Sequence, residues 1–281
     1  MIVTHIIGGL GNQLFQYALG RQLSIKHKTK LYFDASDFTT YKLHNYTLSH
    51  FNVNGVLASR IKVIGLKLNN FFQSSKPYYK RSVVQEQGFY FDPNINNASD
   101  NVYLRGYWQN EKYFKEIEKT LKREITLKDH QDQRYYDILA RIVNSNSVSL
   151  HIRRADYLSD KSKKVFTACT PDYYHLATKI VANRVDAPKL FIFSDDIEWA
   201  KNNITPPLPV EFVSDSIKCA DRNYQELTLM SACKHNITAN STFGWWGAWL
   251  NNNPGKTVIT PKRWFVESSR EEITPSSWIK I

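Results

Sequence analysis

The sequence predicts an α/β protein of two lobes, each built on a parallel β-sheet flanked by helices. Short apolar strand candidates alternate with helix candidates along the chain, which is typical of parallel sheets. The alternation forms two blocks separated by polar residues near 127–147, so we place the lobes at 1–145 and 146–281, with the last helix expected to pack back on the first lobe. The 281 residues, 42% of them hydrophobic, exclude a disordered chain.

The first block opens with a strand, a glycine turn and a helix. Residues 2–7 are apolar and β-branched, and the glycines of residues 8–11 interrupt them. Asn12 is expected to cap a helix whose apolar positions recur with helical spacing as far as Leu23. A strand candidate at 30–34 follows, and together these segments predict a βαβ unit.

The rest of the first block is less regular. Residues 57–72 have helical content, and a strand at 102–104 leads into the segment Gly106-Tyr107-Trp108-Gln109. Residues 111–125 have apolar positions on one side, which predicts an amphipathic helix.

The second block repeats the alternation more clearly. A proline near the start of a helix is favourable, and Pro171 opens the first helix of this block. We predict strands at 148–152, 189–193, 210–213, 235–239 and 256–260, and helices at 171–183, 223–233 and 241–250.

The chain is strongly basic. Its 37 lysines and arginines exceed its 26 acidic residues, giving a net charge of +11 that attracts polyanions such as nucleic acid, anionic lipid or a phosphorylated small molecule. The alternative is a solvated surface without a ligand, because charge runs usually solvate a face. No RNP, KH or zinc-finger pattern occurs, so we expect no nucleic-acid partner.

Several other classes of protein are excluded by missing patterns. The sequence has no 18-residue apolar run, and its N-terminus lacks the features of a signal peptide. The three cysteines have no CxxC spacing, and no Asp-x-Asp, P-loop or Gly-x-Ser-x-Gly pattern occurs. We therefore expect a soluble cytoplasmic protein with no required metal or cofactor, weakly associated with the anionic surface of the inner membrane.

The sharpest candidate site follows a strand of the second block. The segment His151-Ile152-Arg153-Arg154-Ala155-Asp156 ends that strand, and ligands of open α/β sheets bind beyond the carboxyl ends of strands. Two adjacent arginines suit a diphosphate, with one arginine pairing to Asp156 and holding the turn. The alternative is a surface strand end with an ion pair.

Each of the other candidate segments has two interpretations, one as part of a ligand-binding site and one as a purely structural feature. The turn carrying Gly9 and Gly11 suits a phosphate or sugar, or is a plain tight turn. Asp195 and Asp196 suit a nucleotide ribose, or cap the next helix. Glu226 suits the two donors of guanine, or is an exposed helix residue. The segment Asn240-Ser241-Thr242-Phe243 suits a phosphate, or is a cap before a tryptophan core with Trp245 and Trp249.

Taken together these segments resemble the galactoside α-1,2-fucosyltransferase family, glycosyltransferase family eleven. The matches follow the family's order over nearly the whole chain: IIGGLGNQLFQYALG at 6–20, GYWQNEKYF at 106–114, SLHIRRADY at 149–157, FIFSDD at 191–196, LMSACKHNITANSTFGWWGAWLN at 229–251 and PKRWF at 261–265. One departure is Ala155, where the family usually has glycine.

The resemblance implies a fold, a reaction and residue roles. It implies a GT-B fold of two Rossmann-like lobes with the active site between them, and inverting transfer from GDP-β-L-fucose without a metal. The first lobe would serve the acceptor, a β-galactoside expected to be lipid-linked, and the second the donor, in synthesis of O-antigen or another bacterial surface polysaccharide. The implied roles are the donor phosphates for Arg153, the nucleotide for His151, guanine for Glu226, phosphate for residues 241–243 and the reacting sugar for Asn12.

The chemistry fits these residues. Negative charge grows on the β-phosphate as fucose C1 loses GDP, and a fixed cation with preorganised amides stabilises it. The residues alone do not single out a base, and the leaving phosphate is one candidate. The rival interpretations are a fucosyltransferase of different linkage or acceptor and, on charge alone, an RNA-binding module.

Overall fold

A computed structural model describes residues 1–88, 90–154, 169–214, 222–265 and 273–281. The chain divides into two compact units, residues 1–129 and 130–281. Each unit has a parallel β-sheet with helices packed on it, as the alternation of strands and helices predicts.

Strands of the first unit form a five-stranded sheet in residues 1–88 and 90–129, in the order β3-β2-β1-β5-β4. Every pairing in it is parallel. Strand β1 (Ile2–His5) is central and buried at all four positions, including the polar residues Thr4 and His5. The elements are β1 (Ile2–His5), α1 (Leu10–Lys26), β2 (Leu31–Asp34), β3 (Val56–Leu57), α2 (Arg60–Asn70), β4 (Val83–Gln85), β5 (Val102–Arg105) and α3 (Glu118–Glu124).

Helix α1 begins two residues before the predicted Asn12 cap. Gly9 is the N-cap, and its carbonyl accepts from the backbone N–H groups of Asn12 (2.9 Å) and Gln13 (3.1 Å). The turn before it needs glycine, because Gly8 has φ +84°. Asn12 is therefore in the first turn of the helix, and the prediction that it caps α1 is wrong.

The predicted helix at 111–125 is only partly helical. Two short 3₁₀ turns, Glu111–Tyr113 and Lys115–Ile117, precede α3. The Asn110 side chain caps the first turn by accepting from the Lys112 N–H, and the extended φ of −142° at Phe114 separates the two turns. The apolar residues of the pattern are nevertheless buried: Tyr113, Phe114, Ile117, Leu121 and Ile125.

The described part of the second unit contains a six-stranded parallel sheet in the order β11-β10-β9-β6-β7-β8. Strands β6 and β7 pair along their whole length and carry most of the core. The elements are α4 (Gln133–Val143), β6 (Asn146–Ile152), α5 (Pro171–Ala182), β7 (Pro188–Ser194), α6 (Ile197–Asn203), β8 (Val210–Phe212), α7 (Asn223–Ala232), β9 (His235–Ile237), α8 (Thr242–Leu250), β10 (Val258–Thr260) and β11 (Ile279–Lys280).

The division between the units lies before α4, earlier than the boundary we place after residue 145. Helix α4 packs on β6 and α7, and the Tyr135 and Thr228 hydroxyls hydrogen-bond at 3.1 Å. The polar residues that dilute the sequence near 127–147 flank this amphipathic helix, which the sequence analysis missed. The packing of the last helix on the first lobe stays a prediction.

Tryptophans of α8 form part of the second unit's core, as their spacing predicts. Trp245 and Trp249 stack with their rings nearly parallel and 6.0 Å apart, and both are buried. Among the described residues, no helix combines the length and the hydropathy needed to cross a bilayer.

Candidate active site

The topology of the second sheet marks one ligand position. The chain runs from β6 to β7 and β8 on one side, whereas β9, β10 and β11 lie on the other side of β6. In open parallel sheets, ligands bind beyond the carboxyl ends of the two strands where the order reverses. Arg153 follows β6, and Asn240 and Ser241 follow β9, so two separate sequence motifs meet at this switch point.

The arginine pair, Arg153 and Arg154, contacts the two aspartates that follow β7. Arg153 Nε lies 3.2 Å from Asp195 Oδ2, and the Arg154 backbone N–H donates to Asp195 Oδ1 at 2.9 Å. Arg154 Nε lies 3.6 Å from Asp196 Oδ2, and its guanidinium lies 4.2 Å from the centre of the Trp199 ring. Two adjacent cations are thereby oriented at the carboxyl edge of the sheet.

The two aspartates have different local roles. Asp196 is the N-cap of α6, since its carboxylate accepts from the Trp199 N–H at 3.1 Å. For Asp196, the structure agrees with the interpretation of the pair as a cap for the next helix. Asp195 instead contacts Arg153, so a ribose contact by Asp195 stays a prediction.

Glu226 is not the exposed helix residue of the structural alternative. It is half-buried on α7 and accepts a hydrogen bond from the Ser214 hydroxyl, which itself accepts from the Ser194 N–H at 2.9 Å. Burial raises the pKa of Glu226 to about 7, and the nearby Asp195 carboxylate contributes to the increase. A carboxylate with so high a pKa is a candidate for binding a ligand's hydrogen-bond donors.

His151 is buried at the end of β6 and packs against the start of α8. Its ring centre lies 5.5 Å from that of Phe243, and Nδ1 has no hydrogen-bond partner among the described residues. A Cβ on Gly244 would lie 2.6 Å from that nitrogen, so only glycine allows the contact. Burial lowers the pKa of His151 to about 3, with Arg153 contributing, and the imidazole is neutral at physiological pH.

The N-terminus of α8 has the features of an anion site. Ser241 is the N-cap and accepts from the Phe243 N–H at 3.3 Å, and Thr242 is the first helical residue. The Asn240 amide is part of the core instead, because it donates to the Trp264 carbonyl at 3.1 Å and accepts from the Cys169 thiol. Asn240 therefore positions the turn from a buried location.

The first sheet has its own switch point, between β1 and β5. The turn after β1 carries Gly9 and Gly11, which lie at the start of α1 in the first unit, whereas the other donor candidates are in the second unit. Gln109, just after β5, donates to Asn12 Oδ1 at 2.9 Å. A Cβ on Gly8 would lie 2.8 Å from Asn12 Nδ2, so the turn also confines this amide.

The structure adds a surface near Gln109 that the sequence analysis did not select. Tyr107 and Tyr90 are exposed and line a small pocket with Glu86 and Gln109. Glu86 accepts from the backbone N–H groups of Tyr107 (2.6 Å) and Trp108 (2.9 Å), and burial raises its pKa. The sequence contains a signal for this surface, because Tyr107 and Gln109 belong to the segment at 106–114 that carries part of the family resemblance.

Two further predictions concern the turn after the arginine pair and the binding of metal. Asp156, predicted to hold the turn after the arginines, and the neighbouring Ala155 lie outside the described residues. Within the described ranges, no three His, Cys, Asp or Glu side chains are grouped as metal ligands would be.

The chain is similar to known glycosyltransferases. The model of the family described as glycosyl transferase family 11 matches residues 1–281. An α-1,2-colitosyltransferase of Escherichia coli is 33% identical, covering 100% of this chain and 99% of the relative, and an O-antigen biosynthesis glycosyltransferase, WbnK, of the same species is 29% identical, covering 98% of each.

Solved structures agree with the fold. The fucosyltransferase NodZ from Bradyrhizobium is 13% identical, with a TM-score of 0.52 over 88% of this chain and 92% of NodZ. NodZ, an α-1,6-fucosyltransferase, was also co-crystallised with GDP, and that structure matches at 13% identity and a TM-score of 0.51 over 88% of this chain and 91% of that one. The prediction of a GT-B fold with two Rossmann-like lobes is confirmed.

Proposed function

The chain belongs to glycosyl transferase family 11, and from that premise we propose that it transfers L-fucose from GDP-β-L-fucose to the 2-hydroxyl of a terminal β-galactoside. The transfer inverts the anomeric centre and contributes to an O-antigen or another surface polysaccharide. The names of two relatives, which specify an α-1,2 linkage and O-antigen biosynthesis, support the linkage and the product class.

One observation carries the proposal for the donor. The arginine pair and the N-terminus of α8 lie at the carboxyl ends of β6 and β9, and Glu226 contacts residues that follow β7 and β8 at the same edge of the second sheet. Two cations and a helix N-terminus suit a diphosphate, and a single carboxylate suits the adjacent N1–H and N2–H₂ donors of guanine. The second unit therefore binds GDP, as NodZ does in its crystals.

Arg153 supplies the main stabilisation of the transition state. Negative charge accumulates on the β-phosphate as the bond to fucose C1 breaks, and the guanidinium and the amides at Ser241 to Phe243 hydrogen-bond to it. Asp195 fixes the Nε side of Arg153 before the donor arrives, so little reorganisation is required. His151 lies beside the proposed nucleotide position. Because its imidazole is neutral, Arg153 and Arg154 are the two cations assigned to the diphosphate.

Asn12 and Gln109 serve the reacting sugar and the acceptor from the first unit. Gln109 orients the Asn12 amide, and the exposed Tyr107 and Tyr90 rings offer apolar surface for a sugar face. The 2-hydroxyl of galactose attacks C1 from the face opposite GDP, and its proton passes to a base. That proton is released on the acceptor side of the sugar, opposite the β-phosphate, so the base is a group on that side rather than the leaving phosphate.

A second candidate donor is the GDP derivative of colitose, which is L-fucose without its 3-hydroxyl. The 33% identical relative, an α-1,2-colitosyltransferase over its whole length, favours it. A site built to hydrogen-bond a sugar hydroxyl discriminates strongly against the analogue that lacks it, whereas an apolar site discriminates weakly. The values of kcat/KM for GDP-fucose and GDP-colitose, rather than their affinities alone, therefore distinguish the two donors.

The test is turnover of GDP-fucose and GDP-colitose against a panel of β-galactosides, with linkage analysis of the product. We expect transfer of fucose to O2, no requirement for added metal, and loss of turnover in Arg153→Lys. A product linked through another hydroxyl would overturn the α-1,2 assignment. Preference for GDP-colitose would replace fucose as the donor, and no turnover with either sugar would overturn the proposal.

We also propose that the enzyme acts at the surface of the inner membrane. A cytoplasmic enzyme with a lipid-linked acceptor meets its substrate at the inner membrane, and the net charge of +11 favours peripheral association with anionic lipid. Salt-dependent binding to RNA in a filter assay is the outcome that would instead favour a nucleic-acid partner.

A further inference from the structure

Helix α2 has two apolar faces, and the sheet covers only one of them. Val63 and Leu66 pack inward against β1 and β5, where they join Val3 and Tyr103 in a buried cluster. A surface helix of a globular protein normally has one apolar stripe, facing its core. A second stripe on the opposite face therefore calls for a separate explanation.

The second stripe consists of Ile61, Ile64, Leu68, Phe71 and Phe72, which we call the α2 apolar face. Their spacing of three and four residues puts them on one side of the helix and its C-terminal turn. They are 83%, 53%, 56%, 78% and 88% exposed. Contiguous exposed apolar surface of this kind marks an interaction site, whereas scattered single residues do not.

The chain segment that contains this face carries charge of one sign. Residues 38–85 contain seven of the chain's 37 lysines and arginines and none of its 26 acidic residues, so about a sixth of the chain carries most of the net charge of +11. Of the seven, Arg60, Lys67, Lys76 and Lys80 are exposed on or near α2. A partner surface rich in negative charge and apolar material is complementary to this segment.

We propose that the α2 apolar face docks on an anionic lipid bilayer, with α2 lying in the plane of the headgroups. A helix that presents large apolar side chains beside lysine and arginine binds such an interface, the side chains entering the acyl boundary and the cations contacting headgroups. A symmetric dimer through this face is disfavoured, because it would bring the same positive segment of two copies together.

This inference deepens the peripheral membrane association proposed above and does not depend on the sugar donor. None of the residues in the α2 apolar face is among the proposed substrate-binding residues. Transfer to a soluble galactoside in the absence of lipid therefore tests the reaction, and vesicle binding tests the surface. Either proposal can fail while the other stands.

The experiment is flotation of the full chain with vesicles of phosphatidylcholine alone or with about 30% phosphatidylglycerol, at low and high salt. The variants are Leu68→Gln and Phe72→Gln, each replacing an exposed side chain. The matched control is Leu176→Gln on α5 of the second unit, because Leu176 is 49% exposed against 56% for Leu68. A second pair, Arg60→Gln with Lys76→Gln, removes charge without changing the apolar face.

We expect binding to the anionic vesicles that weakens several-fold in high salt. Leu68→Gln and Phe72→Gln should each lower partitioning by about three- to tenfold, the charge pair should lower it mainly at low salt, and Leu176→Gln should leave it unchanged. Equal binding to neutral vesicles, or equal loss in the Leu176 variant, would overturn the proposal. A dimer in sedimentation velocity that Leu68→Gln disrupts, without vesicle binding, would overturn it in favour of a second copy of the chain.

Discussion

The proposed contact between Glu226 and guanine predicts how the affinity for the donor changes with pH. Burial and the neighbouring Asp195 raise its pKa to about 7 in the free protein, so about 90% of the molecules carry the carboxylate at pH 8 and about 10% at pH 6. The N1–H and N2–H₂ groups of guanine stabilise the ionised form, so binding lowers the pKa and releases a proton. Affinity for GDP-fucose should therefore be roughly ninefold lower at pH 6 than at pH 8.

The assay is calorimetric titration of GDP-fucose between pH 6 and pH 8. The nucleotide sugar is preferable to GDP, because a terminal phosphate itself titrates near pH 6. Repeating the pH 7 titration in buffers of different ionisation enthalpy should show release of about half a proton. His151 does not contribute to the profile, because burial keeps its pKa at about 3.

Glu226→Gln provides the decisive comparison. The variant should bind GDP-fucose about 1–3 kcal/mol more weakly at pH 8, because a charge-assisted pair of hydrogen bonds is lost, and its affinity should not change with pH. A flat profile in the wild type, or a slope that persists in Glu226→Gln, would refute the assignment of Glu226 to guanine.

The stability of the unliganded protein should change with pH in the opposite direction to its affinity for GDP-fucose. The folded-state pKa of Glu226 lies above the usual value near 4.5, so the stability associated with this group is fully present below pH 4.5 and is lost as pH rises through 7. Glu226→Gln should therefore stabilise the unliganded protein at pH 8, by up to about 3 kcal/mol, and leave it unchanged at about pH 4. A variant that gains stability and loses affinity identifies a ligand-binding residue, whereas a structural residue would lose stability.

Further predictions concern the other parts of the two sites. Arg153→Lys should lower kcat by roughly 10²- to 10³-fold while the melting temperature stays unchanged, because lysine cannot form two parallel bonds to a diphosphate; retained kcat would remove its role. Gly244→Ala should displace His151 and lower stability by about 1–3 kcal/mol, which thermal unfolding with and without GDP would reveal, and normal stability and turnover would contradict the packing. Gln109→Ala should lower kcat about three- to tenfold through the loss of one hydrogen bond to Asn12, which is proposed to face the reacting sugar, with the affinity for GDP unchanged; weaker binding of GDP would contradict this role. EDTA should leave turnover unchanged, and a loss restored by Mg²⁺ or Mn²⁺ would make Asp195 a candidate ligand.

The sequence predicted the elements whose pattern is local. Strand β6 alternates polar and apolar residues, β7 contains an apolar run and α5 begins at a proline, so composition and spacing are sufficient to locate these elements. The start of α1 was missed because Asn12 is a good cap by residue type, whereas the left-handed φ of Gly8 sets the actual turn two residues earlier. The short strands β3 and β4 have too few residues for a period to appear.

The candidate site was only partly predictable for a physical reason. Arg153 and Glu226 could be selected because each had a charge that a diphosphate or guanine needs. The residues that orient the candidate groups could not be selected, because only the tertiary fold brings Ser214 to Glu226 and Gln109 to Asn12. Residue type predicts which group contacts a ligand, whereas the tertiary fold decides which groups orient it.

The charges at the second sheet are coupled through Asp195. Its carboxylate contacts Arg153 at 3.2 Å and contributes to the raised pKa of Glu226, so one group links the proposed phosphate and guanine positions. Without a donor, the negative charge of Asp195 holds Arg153 in place and disfavours the ionised form of Glu226. On the proposed roles, the bound nucleotide provides hydrogen-bond donors for Glu226 and phosphate oxygens for Arg153, and the donors offset the cost of ionising Glu226 next to Asp195. We therefore expect guanine binding at Glu226 and phosphate binding at Arg153 to be coupled through Asp195, so that Asp195→Asn should change the affinity for GDP-fucose and kcat together.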